Sequence, residues 1–459
     1  MSALHRPIVG LLQVMLIAAG LSITTAGEAA TITRGPYLQM GSHNRIVVRW
    51  RTDVATNSQV SYGLCHGQNC MIWVAVDATV KTEHEVMLQG LSPKTRYYYA
   101  VGSTTEQLAG NDATHFFVTS PAVGESKATR IWVLGDSGSA NSNARAVRDA
   151  YYKYTGSTHT DLWLMLGDNA YDRGTDSEYQ AAVFNMYPEM LRKSVLWPTL
   201  GNHDGASANS GTQSGPYYEN FTLPKKAEAG GTASGTEAYY SFDYGNIHFI
   251  VLDSFDSSRS ANGAMMNWLR SDLQATNQPW IIAYWHHPPY SKGSHDSDSA
   301  AASRDIRQNA LPILENYGVD LVLSGHSHNY ERSFLLNGHY GVSTTLTPDM
   351  ILDAGDGRTS GTGAYKKASD RGAVYTVAGS SGKTGGGSLD HPAMFISLSV
   401  LGSVVLNVNG NRLDAKFIRS TGSIQDEFSI DKGPVPRDID VSPTSHTYGS
   451  VPVGSTAVK

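Results

Sequence analysis

The chain has 459 residues, 40% hydrophobic and 17% charged, long enough for two or more folded domains and too apolar for a disordered chain. Its 35 Lys and Arg against 41 Asp and Glu leave a formal net charge of −6, without the basic excess needed to bind along a phosphate backbone, so nucleic acid is not an expected partner. Any anionic ligand must be met by a local cluster of metal, His or Lys rather than by the surface at large.

Residues 1–30 open with His5 and Arg6, continue as an apolar run from Ile8 to about Ile23 and end in small residues up to Ala29-Ala30. This pattern predicts a secretory signal peptide and hence a secreted or periplasmic protein. Gln13 and Gly20 interrupt the run, which argues against an uncleaved anchor; no later stretch is apolar enough to span a bilayer, so no stable membrane insertion is expected after cleavage. The two cysteines, Cys65 and Cys70, are spaced for a small disulfide loop in an oxidising compartment, and a thiolate metal site would need more ligands.

Residues 31–121 alternate apolar and polar, as in Arg45-Ile46-Val47-Val48-Arg49-Trp50-Arg51, which predicts an all-β module. The run Leu91-Ser92-Pro93-Lys94-Thr95-Arg96-Tyr97-Tyr98-Tyr99 resembles the late strand of a fibronectin type III sandwich. From 127 to 430 short apolar strands alternate with helical segments, the pattern of an α/β domain of layered sheets flanked by helices. Expected strands are Arg130–Leu134, Leu162–Leu166, Leu196–Leu200, Ile247–Leu252, Trp280–Trp285 and Val319–Leu323. Met265, Trp268, Leu269 and Leu273 recur at helical spacing, as do Ile306, Leu311, Leu314 and Tyr317; the region from Ala373 to about Phe428 returns to strands. The segment 436–459 reads as a linker and the start of an immunoglobulin-like repeat, too short to close a sandwich.

Five short motifs follow expected strands: Gly135-Asp136-Ser137-Gly138, Gly167-Asp168-Asn169-Ala170-Tyr171, Gly201-Asn202-His203-Asp204, His286 after Ala283-Tyr284-Trp285, and Gly325-His326-Ser327-His328. The carboxyl ends of strands in an α/β sheet share a crevice, so residues distant in sequence converge there, and a Gly before a ligand is expected to allow the turn that aims it inward. Each motif alone is weak; their joint occurrence in this order predicts a metal site.

The five motifs resemble those of the metallophosphoesterase superfamily, and Tyr171 makes the set similar to the purple acid phosphatases, whose plant-type members also carry a preceding β-sandwich. Across residues 32–428 this resemblance implies that Asp136, Asp168, Tyr171 and His328 hold a first metal, with Asp168, Asn202, His286 and His326 around a second. It implies Fe(III) in the first site and Zn, Fe or Mn in the second, ions suited to carboxylate, amide, imidazole and phenolate donors. A Tyr ionises only at about pH 10 in water, so a phenolate ligand favours a strongly Lewis-acidic ion. The implied activity is that of an acid phosphatase, a metal-activated hydroxide attacking small-molecule phosphomonoesters. His203 and His295 match family histidines that contact the phosphate and assist the leaving group, and Asp204 is expected to orient His203 and raise its pKa. The fourth motif doubles its histidine as His286-His287; alignment on Pro288-Pro289-Tyr290 makes His286 the ligand, whereas a one-residue slip would present the opposite face.

Other signals carry less. Gly382-Lys383-Thr384 lacks the earlier Gly of a phosphate-binding loop, that position being Val377, and reads as a turn. Asn220-Phe221-Thr222 matches a glycosylation acceptor; Lys225-Lys226 and Lys366-Lys367 read as solvated charge, and Asp390-His391 as structural. A phosphodiesterase or nucleotide hydrolase on the same metals, and a non-catalytic binding protein with a decayed site, are the alternatives; no ligand position is visibly lost.

Overall fold

The computed structural model describes Met1, residues 29–367 and residues 371–433. The expected signal peptide falls almost wholly outside these residues, and the expected immunoglobulin-like tail entirely so.

The N-terminal domain is antiparallel β throughout. Its spine is the 19-residue strand Arg45–Gly63, which shifts register between Arg51 and Ser58. The first half pairs with Ile32–Gln39 and the second with Arg96–Gly102, while Trp73–Gln89 runs along its whole length. A disulfide joins Cys65 and Cys70 in the loop between the two long strands. The alternation in this domain predicts one face on a core and one in water, but Ile46, Val47, Val48, Arg49 and Trp50 are all buried. The polar face is covered by the second domain. Arg49 donates to the Glu219 carbonyl at 2.6 Å, Arg51 and Arg34 both bind the Asp176 carboxylate, and the Tyr37 hydroxyl donates to the Asn220 carbonyl. One apolar cluster runs without a break from Tyr37, Val48 and Trp50 into Phe184, Val195 and Leu196. The two domains are therefore parts of one packed body.

The second domain stacks two sheets. One has the order Tyr365–Lys367, Ile424–Lys432, Arg412–Arg419, Gly402–Asn409, Thr129–Leu134, Leu162–Met165, Val195–Pro198, the last three strands parallel. The other has Tyr240–Tyr244, Ile247–Val251, Trp280–Trp285, Leu321–Ser324, Ala373–Ala378, Tyr330–Leu336 and Ile351–Asp353, with Met394–Leu398 against Tyr330–Leu336. Its parallel run is Ile247–Val251 through Ala373–Ala378. Strands buried on both faces need near-continuous apolar runs, and Thr129–Leu134, Leu162–Met165 and Trp280–Trp285 have them. The helical spacing at Met265, Trp268, Leu269 and Leu273 forms the helix Ala264–Ala275, all four buried. The expected helix from Ile306 to Tyr317 is two, Ala301–Asn309 and Leu311–Asn316. Pro312 sits in the first turn of the second, where its missing N–H costs nothing, and could not have continued the first.

Across the sheets, Arg332 and Asp426 form a bidentate pair at 2.6 and 3.0 Å, both side chains fully buried. Lys367, read from sequence as solvated, is also buried, 2.8 Å from Asp320. Its ammonium donates to the Gly318 and Val319 carbonyls, which the strand pairing of Tyr365–Lys367 brings within reach.

A second buried charge has a pH signature. His248 is wholly buried between Asp243, 2.9 Å from Nδ1, and Asp272, 2.8 Å from Nε2. Burial disfavours its charged form, yet the two carboxylates hold it up to about 9. The folded state thus binds this proton more tightly than the unfolded chain, so the contribution is fully present below about pH 6.5 and is lost as pH rises through about 9. Thermal midpoints of His248→Gln and the parent are expected to differ most at about pH 6 and to approach each other at about pH 9.5. A gap independent of pH would show that His248 is held neutral.

Candidate metal centre

The five motif loops leave the carboxyl ends of five parallel strands, three from one sheet and two from the other. Asp136, Asp168 and Asn202 follow Thr129–Leu134, Leu162–Met165 and Val195–Pro198; His286 and His326 follow Trp280–Trp285 and Leu321–Ser324. The crevice expected at the edge of one sheet is thus a seam where two sheets meet. Three of the expected ligand positions are themselves in the left-handed region, Asp136 at φ 55°, Asp168 at 51° and His326 at 64°, a conformation costing a non-glycine residue about 1 kcal/mol or more. The preceding glycines mostly serve close approach rather than the turn expected of them. A Cβ at Gly201 would lie 2.1 Å from the Asp168 backbone nitrogen, and one at Gly167 would lie 2.6 Å from His286 Nδ1.

The side chains converge. The Tyr171 hydroxyl is 3.1 Å from both Asp136 Oδ1 and Asp168 Oδ2, and 3.4 Å from His328 Nε2. His286 Nε2 is 3.0 Å from Asn202 Oδ1, 3.2 Å from His326 Nδ1 and 3.4 Å from Asp168 Oδ1. Asp136, Asp168 and His286 offer ligand atoms within 4.8 Å of one another, as do His286, His287 and His326. Asp136, Asp168 and His286 are fully buried; Tyr171, Asn202, His326 and His328 are partly exposed.

The donor chemistry fits cations. His286 Nδ1 lies 2.9 Å from the Leu166 carbonyl, which fixes the ring proton there and turns the Nε2 lone pair inward, the usual outer support of a metal-binding imidazole. That lone pair faces carboxylate, amide and imidazole atoms, and no Lys or Arg stands among them. Burial disfavours a charged His286, but Asp168 pulls it up to about 9: the cluster demands a positive charge. Burial and the neighbouring imidazoles push His326 down, leaving its ring neutral and available. Burial, then Asp136 and Asp168, raise the Tyr171 phenol far above its ordinary value, so only a strong Lewis acid would displace its proton.

His287 is set apart. Its Nδ1 is 2.9 Å from Ser254 Oγ, which also accepts the His287 backbone N–H. Where the serine donates to Nδ1, the ring proton sits on Nε2, which is then a donor rather than a ligand.

The remaining expected residues divide. His203 sits against Tyr171, ring centroids 4.5 Å apart, its Nε2 4.0 Å from Asp168 Oδ2. His295 is exposed, yet its ring stacks on His326 at 3.9 Å. Asp204 does not orient His203. Its fully buried carboxylate accepts from the backbone N–H groups of Asn169 and Gly201, the Asn169 amide and the Tyr179 hydroxyl. Burial, then Asp168, push it up to about 6. His203 is instead held by the Asp172 carbonyl, 2.5 Å from Nδ1. Asp204 is a brace between the second and third motif loops, and neighbouring backbone N–H groups outcompete a half-exposed imidazole for it. His391 is buried against Tyr290 and away from the seam. Sequence reasoning missed Tyr179 and Asn169, whose roles exist only through Asp204, and Lys383, whose ammonium lies 3.9 Å above the Tyr171 ring.

Residues 129–330 match the calcineurin-like phosphoesterase family, and residues 34–119 match the purple acid phosphatase N-terminal domain. Purple acid phosphatase 15 of Arabidopsis thaliana is 27% identical over 315 residues, 63% of this chain and 56% of that protein. Purple acid phosphatase 23 of the same plant is 28% identical over 60% of this chain and 62% of its own. Human acid phosphatase type 7 is 28% identical over 64% and 68%. The matched stretch thus spans less than two thirds of the length of the two plant relatives. A purple acid phosphatase from yellow lupin (Lupinus luteus) seeds has the same fold, with a TM-score of 0.64 at 17% identity over 87% of this chain and 75% of that one.

Proposed function

For a chain built from a calcineurin-like phosphoesterase domain and a purple acid phosphatase N-terminal domain, we propose the activity of an exported, two-metal acid phosphatase acting on small phosphomonoesters. The observation that carries the reading is the convergence of seven donors from five strand ends, with the Tyr171 hydroxyl shared by Asp136 and Asp168. Asp136, Asp168, Tyr171 and His328 would hold Fe(III); Asp168, Asn202, His286 and His326 would hold Zn, Fe or Mn. When bound, such a pair supplies Lewis acidity that clamps a phosphate and activates water.

The chain's own residues do the rest. His203, with Nδ1 on the Asp172 carbonyl, keeps Nε2 for the substrate and can hand a proton to the leaving oxygen. His295, braced on His326, stands at the rim to meet the phosphate. Asp204 keeps the loops of Asp168 and Asn202 in register. Export is supported by the N-terminal apolar run and agrees with the Cys65–Cys70 disulfide.

The test combines elemental analysis, a visible spectrum and rates on a nitrophenyl phosphomonoester and its matching diester at about pH 5, where a metal-activated water can still ionise. Iron with a second metal, purple colour and faster monoester turnover are expected. Two metals without iron would withdraw the ferric assignment, a faster diester would make the protein a phosphodiesterase, and a metal-free, inactive protein would end the enzymatic reading. Tyr171→Phe is expected to bleach the visible band while the protein stays folded; unchanged colour would assign the chromophore elsewhere.

A further inference from the structure

We propose that Lys383 sets the charge of the substrate this site accepts: its ammonium holds the phosphate of a monoester, doubly charged above about pH 6, and gives singly charged diesters less. The inference rests on the phosphatase reading above and names which ester the centre favours.

Lys383 is not a loose surface lysine. Its loop, Gly382-Lys383-Thr384, is laced to the metal-binding loops on both sides. Before it, the Ser381 N–H donates to the Gly135 carbonyl at 3.1 Å, and Ser139 Oγ donates to the Gly382 carbonyl at 3.2 Å. After it, the Gly385 N–H donates to the His328 carbonyl at 2.9 Å, and the Asn329 amide donates to the Gly385 carbonyl at 3.1 Å. The first and fifth motifs therefore fix the backbone from which Lys383 projects. Its side chain is half-buried, and its Nζ rests 3.9 Å above the centre of the Tyr171 ring, a cation–π contact that holds the charge in place.

Among the described residues Lys383 forms no ion pair. The carboxylates below it, Asp136 and Asp168, lie at the hydroxyl of Tyr171 within the metal cluster. Its charge is thus not neutralised by a dedicated partner, and it borders the ring that His203 also touches. A chain with net charge −6 draws no anion by its overall field, so a fixed local cation counts. Coulomb attraction to it scales with ligand charge, and a monoester dianion carries one more negative charge than a diester.

The experiment compares metal-loaded parent, Lys383→Met, which keeps most of the apolar stem, and Lys383→Arg, which keeps the charge. Inorganic phosphate binding is titrated at equilibrium, and KM and kcat are measured on the nitrophenyl monoester and diester at about pH 7, where the monoester is mostly dianionic. The methionine variant is expected to weaken phosphate binding and raise monoester KM about tenfold, the size of one partly screened charge. The monoester-to-diester ratio of kcat/KM falls correspondingly, the loss lies in KM rather than kcat, and arginine restores most of it. The inference is overturned if phosphate affinity and the ester ratio stay at parental values, or if methionine and arginine alike lower kcat and the melting point together, which is a structural role. A parent without metal or turnover brings down the phosphatase reading and this inference with it; an active, metal-loaded parent indifferent to Lys383 overturns this inference alone.

Discussion

Asp168→Ala is expected to yield a folded protein that retains neither cation after dialysis and has lost phosphatase turnover. Asp168 touches members of both expected donor groups: Oδ2 is 3.1 Å from the Tyr171 hydroxyl, and Oδ1 is 3.4 Å from His286 Nε2. Oδ1 also accepts the His203 backbone N–H at 2.9 Å, so the carboxylate positions the third motif loop as well. Burial opposes its charge, but His286 and His203 hold its pKa below the ordinary carboxylate value, so it stays ionised under acid conditions. Loss of a single preorganised charge-stabilising group costs about 10²–10³ in turnover; loss of the residue proposed to be shared by two cations is expected to exceed that. Because residue 168 sits at φ 51°, where Ala is strained, Asp168→Asn is the companion variant: Asn tolerates this backbone and removes only the charge. Elemental analysis after dialysis checks both. Two metals per chain retained in either variant would refute the shared role.

Asp426→Asn has the largest expected effect on stability. Asp426 receives Arg332 bidentately, the Tyr330 hydroxyl at 2.8 Å and Arg358 at 2.9 Å. Arg332 and Asp426 come from different sheets and are fully buried. Breaking such a pair by removing one partner leaves an uncompensated buried charge and costs about 3–5 kcal/mol. Arg332 then keeps the Tyr365 hydroxyl and one neutral amide oxygen in place of the bidentate carboxylate. The melting midpoint is expected to fall by several degrees. The double variant Arg332→Met, Asp426→Leu should recover part of the loss, since an apolar pair removes the buried Arg332 charge, while the Tyr330 hydroxyl and Arg358 still lose their acceptor. A single variant that melts with the parent would mean that water reaches the pair.

Much of the site was legible because metal ligation uses few residue types at strand ends. A strand buried on both faces reads as a continuous apolar run, and the residue that follows it must lie at the sheet's carboxyl edge. Asp136, Asp168, Asn202, His286 and His326 were placed at strand ends on that logic, and family resemblance made them, with Tyr171 and His328, the expected ligands. The choice of His286 over His287 needed the register of Trp280–Trp285 and the Ser254 contact, neither of which a lone histidine pair encodes. Asp204 shows the limit plainly. Its neighbour in sequence is His203, but its partners are Asn169, Gly201 and Tyr179, chosen by loop packing. Lys367 reads as solvated because a lysine pair usually is, and Arg49 as solvent-facing because polar residues in alternation usually are; their burial depends on a carbonyl pair and a domain face supplied by distant segments.

The chain by itself determined its two-domain order, its strand and helix content and the strand-end positions of its candidate ligands, because apolar periodicity and residue chemistry are local properties. Only the tertiary structure decided that two sheets share the seam, that the N-terminal domain is packed into the same core, which charges are buried with partners, and that Lys383 stands over Tyr171. Those are matters of which surfaces exclude water together. Such exclusion is settled by contacts between distant segments, Arg130 and Asn407, 277 residues apart, being an example, whose free energy no local pattern contains.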